Sequence, residues 1–284
     1  MIVVNSVKDL REALGAEKRR PVGFVPTMGA LHEGHISLAE RAVSENKTAV
    51  VSIYVNPTQF NDKNDLKNYP RTLDEDLDLL RQVLRKQDIV FTPADREMYP
   101  DEDKRVFSFG NLDKVMEAVQ RPGHFNGVAQ VVSKLFAMVE PDTAYFGLKD
   151  FQQVAVIKDL VRQTGSNISI VACPIIREPD GLALSSRNRL LEPEIRKEAG
   201  IIFSAISEAA VMFRDHDIEN IASFVKATIE MKKDFSVEYF EIVDEIELLP
   251  VKSKELMDRG RKYFGCIAVR AGKIRLIDNI AFPL

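Results

Sequence analysis

Two histidines, His32 and His35, stand in the run Pro26-Thr27-Met28-Gly29-Ala30-Leu31-His32-Glu33-Gly34-His35, after the apolar Val22-Gly-Phe-Val25 and before Ser37-Leu-Ala-Glu-Arg-Ala42. This order predicts a buried strand, a turn opened by proline and glycine, and a helix whose first turn carries both imidazoles. Unpaired amides and the helix dipole make such a start attractive to anions. Gly34 lets a ligand approach the backbone, and the histidines can donate to phosphate oxygens. That is the chemistry of a nucleotide triphosphate site. A zinc-protease reading fails on spacing, because that motif places its histidines four apart, with the glutamate between them. An ordinary surface cap is the plain alternative.

Four more polar segments carry candidate chemistry. Arg177-Glu-Pro-Asp-Gly-Leu-Ala-Leu184-Ser185-Ser186-Arg187-Asn188 opens with a turn and ends with two hydroxyls beside a fixed cation, a loop able to clamp a triphosphate. In isolation a solvated linker with a cap at Ser185 or Ser186 is the better reading. In Phe146-Gly147-Leu148-Lys149-Asp150-Phe-Gln152-Gln153, Lys149 offers a compact charge to a phosphate. Asp150 can cap the following helix or accept from a ribose hydroxyl, and Gln153 lies one turn on. The amides of Asn56 and Gln59 can hold a carboxylate, hydroxyl or amine, and Arg121-Pro-Gly-His124 is a bounded loop. Turn chemistry alone accounts for both segments. Asp74, Glu75, Asp76 and Asp78 read as a solvated acidic helix face rather than a metal site.

The elements that must position these residues alternate. Strand-like runs at Val22–Val25, Thr48–Val55, Ile89–Phe91, Thr143–Phe146 and Ile168–Ala172 are separated by helical patterns near Gly34–Glu45, Thr72–Lys86, Gly127–Val139 and Asp150–Thr164. The expectation is a Rossmann-like α/β fold, a parallel sheet with helices on both faces and ligands at the carboxyl ends of its strands. After Arg177 the pattern changes to helices over Pro193–Phe213 and Ile218–Lys232, then strands over Val237–Val243, Tyr263–Arg270 and Ile274–Ile280, with a hairpin turn at Ala271-Gly272. This predicts two domains, residues 1–176 and a smaller α+β unit over 177–284 that closes over the rim or builds a dimer contact.

Composition narrows the partners. The chain has 284 residues, 45% of them hydrophobic, and a net charge of -4. A large core is affordable, and bulk charge favours a small substrate over nucleic acid. Cys173 and Cys266, inside apolar runs, read as buried thiols. With no signal peptide and no apolar run of membrane-spanning length, a soluble cytoplasmic protein is expected.

Taken together, Pro26–His35, Val55-Asn-Pro-Thr-Gln-Phe60, Tyr69-Pro-Arg-Thr72, Arg121-Pro-Gly-His-Phe125, Lys149-Asp-Phe-Gln-Gln153 and Arg177–Asn188 resemble the pantoate–β-alanine ligase family, within the nucleotidyltransferase superfamily marked by the HIGH motif. The resemblance covers essentially the whole chain. It implies a homodimer that joins pantoate to β-alanine through a pantoyl adenylate, with ATP as substrate and Mg²⁺ accompanying it. It implies that His35, His32, Lys149 and Arg187 serve catalysis and that Pro26 to His35, Gly147 to Asp150, Ile176 and Leu184 to Arg187 bind ATP. Gln59 and Gln153 match the pantoate-binding glutamines, Gln59 lying also beside the β-alanine site. The family commonly has glutamate where this chain has Leu148. A nucleotidyltransferase that keeps the nucleotide on its product, or a nucleotide-binding module, is the alternative; a tRNA ligase would need a basic anticodon-reading segment.

Overall fold

Residues that alternate along each strand pack into two separate cores, which is what a sheet covered on both sides requires. In the computed structural model, which describes residues 1–15, 20–61 and 63–283, six parallel strands form the larger sheet. They are β1 (Ile2–Val4), β2 (Val22–Thr27), β3 (Thr48–Ile53), β4 (Ile89–Phe91), β5 (Thr143–Gly147) and β6 (Ser169–Cys173). Phe24, Val50, Ile89, Phe91, Ala144 and Phe146 face a core shared with helices Val7–Leu14, His124–Val139 and Phe151–Thr164. Val25, Ala49, Val51, Val90 and Tyr145 face the other, filled by helices Glu33–Glu45 and Leu73–Arg81.

The strand order β1-β4-β3-β2-β5-β6 reverses direction between β2 and β5. Loops leaving these two neighbours diverge to opposite faces, so a crevice opens at their carboxyl ends. Pro26–His35 leaves β2 there, and Gly147–Asp150 leaves β5.

A second sheet is antiparallel, in the order β7 (Phe235–Asp244), β8 (Tyr263–Ala271) and β9 (Ile274–Phe282). Helices Ile201–Met212 and Ile218–Glu230 cover it with Ile202, Ile206, Ile221, Val225 and Ile229. Two expectations need correction, and two elements were not expected. The helix foreseen over Pro193–Phe213 is two, Pro193–Glu198 and Ile201–Met212, broken where Gly200 packs against the Asp180 carbonyl so closely that no side chain fits. The hairpin turn is Gly272-Lys273, with Gly272 at φ 58°, the left-handed region that glycine enters without cost. β1 and the Val7–Leu14 helix were not foreseen, although Ser6, which accepts from the Asp9 amide at 3.1 Å, leaves a readable cap signal.

Polar contacts join the two sheets. Arg177 donates to both oxygens of Asp278 (2.6 and 2.9 Å), Arg275 to both oxygens of Glu117 (2.7 and 2.8 Å), and Asn279 Nδ2 to the Leu148 carbonyl (2.8 Å).

Helix His124–Val139 lies against the Pro57–Gln59 turn at Gly127, where an added Cβ would collide with the Thr58 carbonyl. Gly127→Ala is therefore expected to lower stability by about 1–3 kcal/mol through overpacking. The check is urea unfolding: a reduced midpoint at unchanged slope supports the contact, and an unchanged midpoint contradicts it.

Candidate active site

The turn after β2 is held from beneath. Thr27 Oγ1 donates to the Ser52 carbonyl (2.7 Å) and accepts from the Gly29 amide (3.2 Å). Gly29 and Ala30 both have left-handed backbone, at φ 79° and 50°. This points the amides of Ala30 and Leu31 at Asp76, whose two oxygens accept them at 2.9 and 2.7 Å. Asp76 is 1% exposed, so the solvated acidic face read from the sequence holds for Asp74, Glu75 and Asp78 and fails for Asp76.

His32 begins helix Glu33–Glu45 as its cap, Nδ1 accepting from the Gly34 amide at 3.1 Å. That bond assigns the proton of neutral His32 to Nε2. The His35 ring lies 4.1 Å from it, centroid to centroid, with its Nδ1 buried and unpartnered. Desolvation, reinforced by Lys149 and Arg189, lowers the His32 pKa to about 4. Desolvation, with His32 and Lys149, lowers that of His35 to about 3. At neutral pH both are uncharged N–H donors.

From β5 the chain enters a 3-10 turn at Leu148–Asp150. Lys149 Nζ donates to Asp150 Oδ2 at 3.1 Å. Desolvation pushes the Asp150 carboxyl upward, but Lys149, Arg187 and Arg121 outweigh it and hold the acid below its usual range. Its side chain makes no capping bond to helix Phe151–Thr164, so the expected helix cap gives way to an ion pair.

The third segment is a closed loop. The Leu184 amide donates to the Ile176 carbonyl (3.0 Å), and Arg177 and Ala183 form an antiparallel bridge. Ser185 accepts from the Arg187 amide (3.3 Å), the cap foreseen, while Ser186 Oγ donates to the Ala30 carbonyl (2.9 Å). This stitch to the first turn removes the linker reading. Arg187 pairs with Asp65 at 3.0 Å and lies over the Tyr69 ring at 5.8 Å.

One cleft gathers all three segments. Pro26, Met28, His32, Gly34 and His35 form one wall, Gly147, Lys149, Asp150 and Gln153 a second, and Ile176 with Leu184 to Arg187 a third. Thr27, Gly29, Ala30 and Leu31 build the turn without lining the cleft, and neither Glu33 nor Leu148 contributes to its wall. Gln59 sits behind Met28, its Nε2 2.9 Å from the sulfur and its Oε1 accepting from Asn56 at 3.2 Å. Gln152, read as an ordinary polar helix face, is buried and bonds Leu112, Val115 and Glu117 backbone. Sequence reasoning missed Asp65 and Asn279, whose roles depend on contacts across the fold. It also left Tyr69 and Arg121 unassigned within quoted motifs.

A helix start with paired histidines and two cations, Lys149 and Arg187, at the switch point of a Rossmann-like sheet, defines a nucleotide-using α/β enzyme. The family model for pantoate-beta-alanine ligase matches residues 2–281. A pantothenate synthetase of Bacteroides thetaiotaomicron is 50% identical over 284 residues, 99% of each chain. Among solved structures, pantothenate synthetase from Thermus thermophilus superimposes with a TM-score of 0.91 at 40% identity over the whole of both chains. Pantoate-beta-alanine ligase from Francisella tularensis, complexed with beta-gamma ATP and beta-alanine, does so at 0.79 and 34% identity, over 99% of this chain and 97% of its own. The chain belongs to the pantoate–β-alanine ligase family.

The histidines make a pH prediction. Folded pKa values of about 4 for His32 and about 3 for His35 lie below the ordinary 6.5. The unfolded chain therefore binds more protons through this window, and stability falls as pH drops from 6.5 toward 3. Tm is expected to decline over that range, less steeply in the His32→Asn, His35→Asn double variant. Imidazole NMR at pH 5.5 should show both rings neutral; an imidazolium at either position contradicts the assignment.

Proposed function

We propose that the chain condenses (R)-pantoate with β-alanine to pantothenate at the expense of ATP, through pantoyl adenylate, releasing pyrophosphate and AMP. The observation that carries this reading is the convergence of His32 and His35, Lys149, and Ser185 to Arg187 on one cleft. A carboxylate is a poor acyl donor, and adenylation turns one of its oxygens into part of a good leaving group.

In the first step a pantoate oxygen attacks the α-phosphorus, and the bond to the β-phosphate oxygen breaks. Lys149 and Arg187 offset the charge that builds on pyrophosphate, and the neutral His32 and His35 donate N–H to phosphate oxygens. In the second, the uncharged amine of β-alanine attacks the acyl carbon, AMP leaves with the electrons of the C–O bond, and the nitrogen gives up a proton. No covalent enzyme intermediate is required.

Pro26, Met28, His32, Gly34 and His35, with Gly147, Lys149, Asp150, Ile176 and Leu184 to Arg187, hold ATP in this reading, while Thr27, Gly29, Ala30 and Leu31 shape the turn; Gln59 and Gln153 hold pantoate, Gln59 also facing β-alanine. Magnesium neutralises phosphate charge when bound. No cluster of three or more His, Cys, Asp or Glu able to hold a metal occurs among the described residues, and Asp150 is the carboxylate in the cleft wall. That donor set fits an ion carried largely by phosphate oxygens, which Asp150 would hold on the protein side. The division into residues 1–176 and 177–284, the homodimer and the cytoplasmic setting complete the proposal. They rest on the family resemblance and on the two-sheet architecture. No helix among the described residues is long and apolar enough to cross a membrane.

The test is isotope exchange between pyrophosphate and ATP. Exchange is expected only with pantoate present, and AMP with pantothenate only after β-alanine is added; exchange without pantoate dependence contradicts the reading. Lys149→Ala and His35→Ala should each slow exchange by about 10²–10³-fold with little change in Tm. A loss of stability matching the loss of rate would assign these side chains to folding instead.

A further inference from the structure

The ligase reading leaves one requirement unmet: β-alanine carries a carboxylate that must be held while its amine reaches the acyl carbon. Beside the nucleotide cleft lies a second cavity between the two sheets, lined by Arg121, His124, Tyr239 and Asn279 among others. Lys149, Asp150 and Gln153 line both cavities, so these three side chains form the shared wall across which a second substrate meets the first. Arg121 lines the second cavity and not the nucleotide cleft.

Arg121 is a cation without a committed partner. Its guanidinium makes no hydrogen bond among the described residues, and its one ion contact is Glu117 at 3.9 Å. Glu117 is already satisfied. Both its oxygens accept from Arg275 (2.7 and 2.8 Å), and one also from the Tyr239 hydroxyl (2.7 Å). Desolvation lowers the Arg121 pKa against the pull of Glu117, as expected of a half-buried charge that lacks compensation.

The turn that carries it is braced. The His124 amide donates to the Arg121 carbonyl (3.1 Å), and neutral His124 donates from Nδ1 to the Gln59 carbonyl (2.8 Å). The backbone of Arg121 is thereby held in fixed relation to that of Gln59, the glutamine assigned to pantoate.

We infer that Arg121 binds the carboxylate of β-alanine in this second cavity and so selects an amino acid over a simple amine. The inference rests on the ligase reading and concerns only its second step. A planar guanidinium takes both oxygens of a carboxylate in parallel.

The experiment compares wild type with Arg121→Met and Arg121→Lys, using β-alanine and propylamine, which keeps the three-carbon chain and the amine but lacks the carboxylate. In Arg121→Met, KM for β-alanine should rise about 100-fold, the size of a lost charged hydrogen-bonding pair, while pantoate-dependent exchange, which Arg121 reaches only through its charge on Asp150, falls by less than about tenfold. Activity with propylamine should not change, and Arg121→Lys should recover part of the β-alanine loss. Exchange falling in step with β-alanine use would move Arg121 to the nucleotide and overturn the inference. Equal losses with β-alanine and propylamine, or no loss with either, would overturn it too. Wild type without pantoate-dependent exchange would instead refute the ligase reading beneath it.

Discussion

The buried carboxylate of Asp76 is the contact on which the site depends. A turn with two consecutive left-handed residues exposes its amides on one side, and in the interior such amides are costly unless bonded. Asp76 accepts those of Ala30 and Leu31, and Thr72 Oγ1 donates to it at 3.2 Å. The next residue, His32, then has extended backbone at φ -148°, as a helix cap needs. From that point helix geometry alone places His35 one turn on, over the same cleft. The Ala30 carbonyl, turned the other way, receives Ser186. One carboxylate thus orders a turn, a helix start and the attachment of a distant loop.

Charge in the site is balanced locally. Lys149 has Asp150 at 3.1 Å and Arg187 has Asp65 at 3.0 Å, which offsets the mutual repulsion of cations gathered for a polyanion. These pairs are partly exposed, where an ion pair contributes only about 0–1 kcal/mol. Either carboxylate can therefore be displaced at small cost. The histidines follow a different logic: beside Lys149 a second positive charge is disfavoured, so desolvation and repulsion together keep both rings neutral. The cleft combines fixed cations with neutral donors.

Much of this was legible in the sequence because its causes are local. The Pro26–His35 run, the strand before it and the helix after it announce themselves through period, proline and glycine. Alternating strand and helix patterns were enough for the parallel sheet, and hence for the rim on which His35, Lys149 and Arg187 meet. What escaped depends on partners distant in sequence. Asp76 looks like its acidic neighbours until the turn 45 residues away is seen to require it. Asp150 has the sequence context of a cap, and its ion pair with Lys149 wins. β1 has three residues, too few for a period to register.

The Leu148 position shows how the second sheet takes part in the site. What the fold uses there is the backbone: Asn279 Nδ2 donates to the carbonyls of Leu148 (2.8 Å) and Lys149 (3.2 Å). The adjacent Asp278 holds Arg177 through two bonds, at the base of the loop that ends in Arg187. Burial raises the Asp278 pKa while Arg177 opposes it, the mark of a carboxylate that tolerates its setting only because it is paired. Two consecutive residues of β9 therefore grip both cation-bearing segments of the cleft, one at Lys149 and one below Arg187. Any displacement of the smaller sheet must move these cations relative to the turn that Asp76 holds. The geometry of the cleft and the packing of the two sheets are consequently one variable, and the leucine at position 148 leaves it untouched because no side chain there carries the connection.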